Sequence, residues 1–100
     1  MQHKLKGSER KHLRGLAHGM KPVVQIGKKG LSPDVVSEID QALRDHELIK
    51  VRFNEFKEEK SELSAGIERE TGCEMVGMIG NIGIFYRENP EGRKIVFRKE

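Results

Sequence analysis

Apolar residues along the chain follow two periods, one typical of helices and one typical of strands. Helical spacing occurs in three stretches, and alternation or short β-branched runs occur in four. The predicted helices cover about 8–18, 33–46 and 63–71, and the predicted strands cover 23–26, 48–53, 74–79 and 82–87. The order α-β-α-β-α-β-β predicts an α/β fold with a mixed sheet of about four strands and helices packed on it. Helices between strands favour parallel crossovers, whereas the closing pair of strands favours an antiparallel hairpin.

Local signals predict where the first two helices begin. Ser8 is a good N-cap for the first helix, since its hydroxyl can accept a hydrogen bond from a free N–H of the first turn. Ser32 plays the same part for the second helix, where Pro33 suits the first helical position and Asp34 complements the helix dipole. These signals predict a strand, a short turn and a helix between residues 23 and 46.

Glycines indicate where one helix ends, where a hairpin turns and where two helices are irregular. Gly72 is expected to end the third helix, and Gly80-Asn81 suits a two-residue hairpin loop. Gly15 and Gly66 lie inside predicted helices, where glycine costs about 1 kcal/mol relative to alanine. We expect close backbone contact at Gly15 and a weakened third helix at Gly66.

The length and composition predict a single domain spanning residues 1–100. Hydrophobic and charged residues each make up 35% of the chain, which favours a modest core with a strongly hydrated surface. The ends, 1–7 and 88–100, are predicted to be flexible, with a short edge strand at 95–97. No apolar run reaches the length of a membrane helix and no signal peptide follows Met1, so we expect a cytoplasmic protein that does not enter membranes.

Charge is distributed unevenly along the sequence. Residues 1–30 contain eight Lys and Arg against one acid, a net charge of +7, whereas residues 31–100 contain eleven against fifteen, a net charge of −4. A positive field concentrated on one part of a surface favours nucleic-acid binding, although a solvated basic N-terminus is the simpler alternative.

The most informative motif is the sequence Gly27-Lys28-Lys29-Gly30, between the first strand and the second helix. Glycines let the backbone approach another molecule, the lysines are positive, and a helix N-terminus follows, which together favour a phosphate backbone. Two other G-x-x-G matches, 77–80 and 80–83, show that the spacing alone is weak. The alternative is an ordinary strand-to-helix turn whose lysines only keep it soluble.

Further cations are predicted to extend this surface. On the first helix, Arg10, Arg14 and His18 lie four residues apart and form a stripe beside the apolar one. In the strand 48–53, alternation places two basic residues on the outer face. The full set of residues predicted to contact the nucleic acid is Gly27, Lys28, Lys29, Gly30, Arg10, Lys11, Arg14, His18, Lys21, Lys50 and Arg52.

No catalytic or metal-binding motif is found in the sequence. The four histidines lack H-E-x-x-H or C-x-x-C companions, and neither a P-loop nor a G-x-G-x-x-G motif occurs. The single Cys73 excludes an intrachain disulfide and is expected to be a small buried apolar residue. We therefore expect a protein that is not an enzyme and needs no cofactor or metal.

Four blocks in the same order resemble the CRM domain, the chloroplast RNA splicing and ribosome maturation domain, in its free-standing bacterial YhbY-like form. They are L-R-G-L-A-H-G-M-K-P-V-V-Q-I-G-K-K-G-L-S (13–32), A-L-R-D-H-E-L-I-K-V-R (42–52), E-T-G (70–72) and I-G-N-I-G-I-F-Y-R (79–87). The resemblance covers about residues 8–87, while residues 54–62 and the tail after Arg87 match poorly.

The resemblance implies a fold similar to the C-terminal domain of translation initiation factor three. It also implies RNA binding through the G-x-x-G loop and association with precursors of the large ribosomal subunit. The expected function is therefore a non-catalytic, monomeric protein that binds ribosomal RNA during assembly of that subunit. A DNA-binding module and an RNA-modifying enzyme are the alternatives.

Overall fold

The computed structural model describes residues 5–91, which form three α-helices and a four-stranded sheet. The helices are α1 (Gly7–Ala17), α2 (Pro33–His46) and α3 (Lys60–Thr71), and a single 3₁₀ turn (Lys57–Glu59) leads into α3. The strands are β1 (Val24–Ile26), β2 (Leu48–Phe53), β3 (Glu74–Ile79) and β4 (Ile82–Tyr86). The predicted order α-β-α-β-α-β-β is confirmed, whereas the predicted strand at 95–97 lies outside the described residues.

The sheet is mixed, with the strand order β1-β2-β4-β3. β1 runs parallel to β2, and β4 is antiparallel to both of its neighbours, β2 and β3. It follows that β2 and β3 are also parallel to each other, with β4 inserted between them. Both helix-containing connections are thus parallel crossovers, and the final connection is the predicted hairpin.

The helices cover the two faces of the sheet and build two cores. On one face, α2 and α3 bury the largest side chains of alternate strand positions, including Ile26, Phe53 and Phe85. On the other face, α1 packs Leu13 and Ala17 against the remaining strand positions. The protein is therefore a three-layer α/β/α arrangement in which every central strand is covered on both sides for part of its length.

The first residues of the described chain differ from the prediction. Leu5, predicted to belong to a frayed lead-in, is buried in the α1 core, and its backbone N–H donates to Glu74 Oε1 at 3.1 Å. α1 begins earlier than predicted, with Lys6 rather than Ser8 as its N-cap. The reason is that the Glu9 carboxylate accepts the Lys6 backbone N–H at 2.8 Å, which fixes the first turn two residues upstream of the predicted cap.

The environments of two helical glycines differ, and one of them contradicts the prediction. Gly15 is exposed, and a Cβ placed on it would meet no atom within 4 Å, so the predicted close contact is wrong. Gly66 is buried, and a Cβ there would come within 3.0 Å of Leu31 Cδ2. Its lack of a side chain allows α3 to approach the segment that precedes α2, which explains a poor helix former at this position.

Candidate nucleic-acid interface

One end of the sheet collects the segments that carry the candidate interface. Because β1, β2 and β3 are parallel, their carboxyl ends point the same way, and the β3–β4 hairpin turn lies at that end too. Direct contacts tie these segments together: Phe53 N–H donates to Asn81 O at 2.7 Å, and Asn54 N–H donates to Ile26 O at 3.0 Å. In open α/β sheets, ligands bind at the carboxyl ends of strands, so this end is the first place to look for a site.

The basic turn, Gly27–Gly30, lies at this end and follows β1 directly. Gly30 N–H donates to Gly27 O at 3.0 Å, which closes a four-residue β-turn with Lys28 and Lys29 at its tip. Both lysines are exposed. Gly30 has a φ of 65°, a left-handed conformation that favours glycine. The predicted strand–turn–helix is confirmed.

Two residues, Leu31 and Ser32, separate the basic turn from the start of α2. The Ser32 hydroxyl accepts the Val35 backbone N–H at 3.3 Å, and Pro33 is the first helical residue, as the sequence predicts. The positive end of the α2 dipole and the two lysine side chains therefore belong to one short segment of the chain. This arrangement suits an anion with more than one charged group, such as consecutive phosphates.

Phe56 packs against the basic turn, a contact that the sequence analysis did not predict. A Cβ on Gly30 would lie 3.5 Å from Phe56 Cε2 and 3.9 Å from Phe56 Cδ2, so one edge of the ring lies beside this glycine. Phe56 nevertheless remains 43% exposed. The signal in the sequence that could have indicated it is a lone aromatic residue within the polar run N-E-F-K-E-E at 54–59.

The two basic residues of β2 are in different environments, which corrects the expectation of a basic outer face. Arg52 is exposed beside Gln25 of β1. Lys50 is only 9% exposed, and its Nζ donates to Met20 O at 2.9 Å. The segment after α1 covers this part of the sheet, so Lys50 stabilises the α1–β1 connection, and Arg52 is the cation that β2 presents to solvent.

Two arginines of α1 are directed onto β3. The Arg10 guanidinium donates to Met75 O at 3.0 Å and forms an ion pair with Glu74. Arg14 Nη1 donates to Val76 O at 3.0 Å, and its aliphatic stem lies over Gly77, where a Cβ would come within 2.9 Å of Arg14 Cδ.

The structure therefore does not bring these arginines to the basic turn. β3 is the outer strand at the opposite edge of the sheet from β1, about 14 Å away at the usual spacing of strands. The other predicted cations of this region, Lys11, His18 and Lys21, are exposed on α1 and on the segment that follows it. Their contact with RNA stays a prediction.

Other reactive groups offer no competing site within residues 5–91. Burial raises the pKa of the Cys73 thiol to about 11, so the thiol is protonated at neutral pH. No group of three or more His, Cys, Asp or Glu side chains in this range is arranged to hold a metal ion. None of the three described helices has both the length and the apolar character needed to cross a bilayer.

Comparison with known protein families shows which family the chain belongs to. Residues 5–87 match the CRS1 / YhbY (CRM) domain family, which covers α1 through β4. The chain belongs to this family. The resemblance expected from the sequence blocks is therefore confirmed.

Individual relatives share nearly the whole CRM domain. A protein of Haemophilus influenzae called RNA-binding protein is 40% identical over 96 residues, which cover 95% of this chain and 97% of the relative. Probable RNA-binding protein YqeI of Bacillus subtilis is 32% identical over 92 residues, covering 91% and 96% respectively. The solution structure of SAV1595 from Staphylococcus aureus is 37% identical and superimposes with a TM-score of 0.80, covering 95% of this chain and all of that one.

Proposed function

We propose that this protein binds RNA, and that the basic turn Gly27–Gly30 holds the phosphate backbone. The observation that carries the proposal is the pair of exposed lysines at the tip of a closed turn, at the carboxyl end of the sheet. The relatives from Haemophilus influenzae and Bacillus subtilis bear names that describe RNA binding, which supports RNA as the ligand.

Binding would proceed by charge neutralisation. Lys28 and Lys29 replace counterions on neighbouring phosphates, and the release of those ions supplies most of the free energy of binding. Arg52, exposed on the adjacent strand, lengthens the positive surface along the same end of the sheet. Nothing in this mechanism requires a chemical step, so we propose a binding protein without catalytic activity.

The RNA we propose is ribosomal RNA in large-subunit precursors, bound during assembly in the cytoplasm. This part of the proposal rests on the YhbY-like character of the sequence. Structured RNA also suits a small rigid turn, because folded RNA presents phosphates at fixed positions that a preformed turn can match.

The decisive variant reverses the charge of the turn, Lys28→Glu with Lys29→Glu. Both side chains are exposed, so stability should change by no more than about 0.5 kcal/mol. Affinity for a folded ribosomal RNA fragment should fall strongly, and the slope of log affinity against log salt should flatten by roughly 1.4 to 1.8. Electrophoretic mobility shifts over a salt series, with duplex DNA of equal length as competitor, measure both quantities.

A matched control compares two single charge reversals, Lys28→Glu in the basic turn and Lys6→Glu at the other end of the sheet. Lys6 is exposed at the start of α1, and its neighbour Leu5 donates a backbone hydrogen bond to Glu74, the first residue of β3. Arg44 is unsuitable as a control because it is ion-paired with Asp40 at 2.7 Å, and Lys60 is unsuitable because its Nζ donates to Gly80 O at 2.7 Å. Equal losses in the two single variants would show that only net charge matters, and would contradict the role of the turn.

A further inference from the structure

The backbone of Phe56 is unusual for an aromatic residue. Its φ of 57° and ψ of 42° are left-handed, a region that bulky side chains rarely adopt. Glycine or asparagine would adopt this conformation at lower cost. A strained residue of this kind persists when the surrounding structure holds it, and it is often part of a functional site.

The surroundings that hold Phe56 are a short turn and the basic turn itself. Phe56 O accepts the Glu59 backbone N–H at 3.0 Å at the start of the 3₁₀ turn, and Glu55 N–H donates to Ile26 O at 3.3 Å on the preceding side. The left-handed backbone between these two anchors directs the ring onto Gly30 instead of away from the molecule.

Covering Gly30 does not by itself account for a phenylalanine. The contact uses one side of the ring, and 43% of the residue remains exposed, in a segment whose neighbours are polar or charged. A leucine would cover the same glycine with less exposed apolar surface. What phenylalanine adds is an aromatic ring in a residue that remains partly exposed, next to the residue that follows Lys29.

We propose that Phe56 stacks on an unpaired base of the RNA whose phosphates are held by Lys28 and Lys29. The inference rests on the proposed function and adds the kind of RNA that is bound: a strand with at least one base unstacked beside the backbone contact, as in a loop, a bulge or a single-stranded end. Bases inside a duplex stack on each other and do not expose a face to Phe56. Stacking of this kind tolerates any base, because every base has a π-face.

Two substitutions separate stacking from simple packing. Phe56→Leu keeps apolar cover over Gly30 but removes the ring, while Phe56→Trp keeps a ring and adds a fluorophore. The chain contains no tryptophan, so the emission of this variant reports on position 56 alone. Far-UV circular dichroism and urea unfolding show that each variant folds.

The probes are two single strands of equal length and charge, an oligouridylate of about 12 nucleotides and the same ribose–phosphate chain with abasic positions. Phe56→Leu should bind the oligouridylate about tenfold more weakly while its affinity for the abasic strand is unchanged. Phe56→Trp should bind the oligouridylate at least as well as the native protein, with emission quenched by that strand and not by the abasic strand.

Several outcomes would overturn the stacking proposal. Equal loss on both strands in Phe56→Leu would assign the ring to packing, and no loss on either strand would leave the exposed face for a different partner, such as a protein. Equal emission changes of Phe56→Trp with both strands would exclude stacking even if the leucine variant were unstable. The Lys28→Glu, Lys29→Glu variant should lose both strands. Native protein that binds a folded ribosomal RNA fragment but neither single strand would overturn the stacking proposal and leave the proposed function standing, whereas failure to bind all three would overturn both.

An isosteric control tests whether any exposed apolar residue has the same effect. Val23 is 49% exposed just before β1, and Val23→Thr removes apolar surface while keeping the β-branch. Its affinity for both strands should equal that of the native protein. A loss on the oligouridylate as large as that of Phe56→Leu would show that the effect is not specific to the aromatic ring.

Discussion

At the scale of single residues, the same residue type, glycine, has opposite surroundings in different parts of this fold. Gly15 is exposed on α1 with open space where a Cβ would point. Gly83 lies in the centre of the sheet on β4, and a Cβ there would come within 2.7 Å of the ring of Phe85 and 3.4 Å of that of Phe53. Both rings are fully buried, so neither can move aside without disturbing the core.

These two glycines give a paired prediction. Gly83→Ala should lower the free energy of unfolding by about 1–3 kcal/mol, because it overpacks the aromatic core. Gly15→Ala should raise it by up to about 1 kcal/mol, because alanine is the better helix former at an exposed interior position. Urea unfolding followed by circular dichroism measures both, and a destabilised Gly15→Ala variant would contradict the open environment described for α1.

The sequence predicted the basic turn correctly but not the environment of every cation. Lys28 and Lys29 are exposed because the turn that carries them is formed by neighbouring residues, and such turns can be read locally. Arg10 and Lys50 bind carbonyls that are 65 and 30 residues away in the chain, so residue type alone could not show that they are engaged. Phe56 was missed for the same reason, since only the folded chain brings its ring to Gly30.

At the scale of elements, α2 is joined to the segment after β4 by a cluster around Arg87. Arg87 Nη1 donates to Asp40 Oδ1 at 2.6 Å and to Thr71 O at 2.8 Å, so one side chain connects α2, the end of α3 and the end of β4. The hydrogen bond from Arg87, with the charges of Arg87 and Arg44, lowers the pKa of Asp40 below its ordinary value of 3.8. Helix and sheet are thereby joined through an ionised carboxylate.

The lowered pKa predicts how stability depends on pH. Because native Asp40 holds its proton less tightly than the unfolded chain, its stabilising effect is complete above the unfolded pKa and is lost as pH falls through the lower native value. Asp40→Asn should therefore destabilise the protein at pH 7, by about 0.5–1 kcal/mol since solvent screens this partly exposed pair. The difference between the two proteins should shrink below about pH 4.

Urea unfolding from pH 7 to pH 3 measures this difference directly. Glu38→Gln, which removes an exposed carboxylate from the same helix, is the matched control and should show no comparable pH dependence. A gap between native protein and Asp40→Asn that stays constant down to pH 3 would show that the carboxylate acts through its shape and not through its charge.

Element positions could be predicted from the sequence more reliably than element ends. The periods of α2 and β2 are local and strong, and both elements begin and end where expected. The start of α1 was misplaced because two capping arrangements compete there, and the Glu9 carboxylate with the Lys6 N–H prevails over the Ser8 hydroxyl. Gly66 lies in the interior of α3. Its close approach to Leu31, and not the sequence of α3 itself, explains why a glycine occurs there.

At the scale of the whole molecule, the parallel arrangement of three strands brings the segments of the candidate interface to one end of the sheet. The basic turn, Phe56 and the β3–β4 turn come from distant parts of the sequence and meet at the carboxyl ends of the strands. The mixed α/β class could be predicted from the order of helices and strands along the chain. The position of β4 between β2 and β3 could not be predicted, because strand order depends on pairings between distant segments.

If the proposed function is correct, the whole protein should co-sediment with large-subunit particles or their precursors at low salt. Raising the salt concentration should release it, since the contacts are mainly with phosphates. Sucrose-gradient fractionation with detection of the protein measures this, and Lys28→Glu with Lys29→Glu should remain near the top of the gradient at every salt concentration. Native protein found only in the soluble fraction, at low salt and with precursors present, would contradict the ribosomal proposal.

The two arginines of α1 also have a consequence for association between molecules. β3 is an outer strand with β4 on one side only, and an uncovered outer strand of six residues is a template on which another chain can add a strand. Arg10 and Arg14 lie over it, bind two of its carbonyls and place positive charge along it. Because these carbonyls are engaged, we expect α1 to oppose edge-to-edge pairing at β3, and a chain without α1 to aggregate more readily.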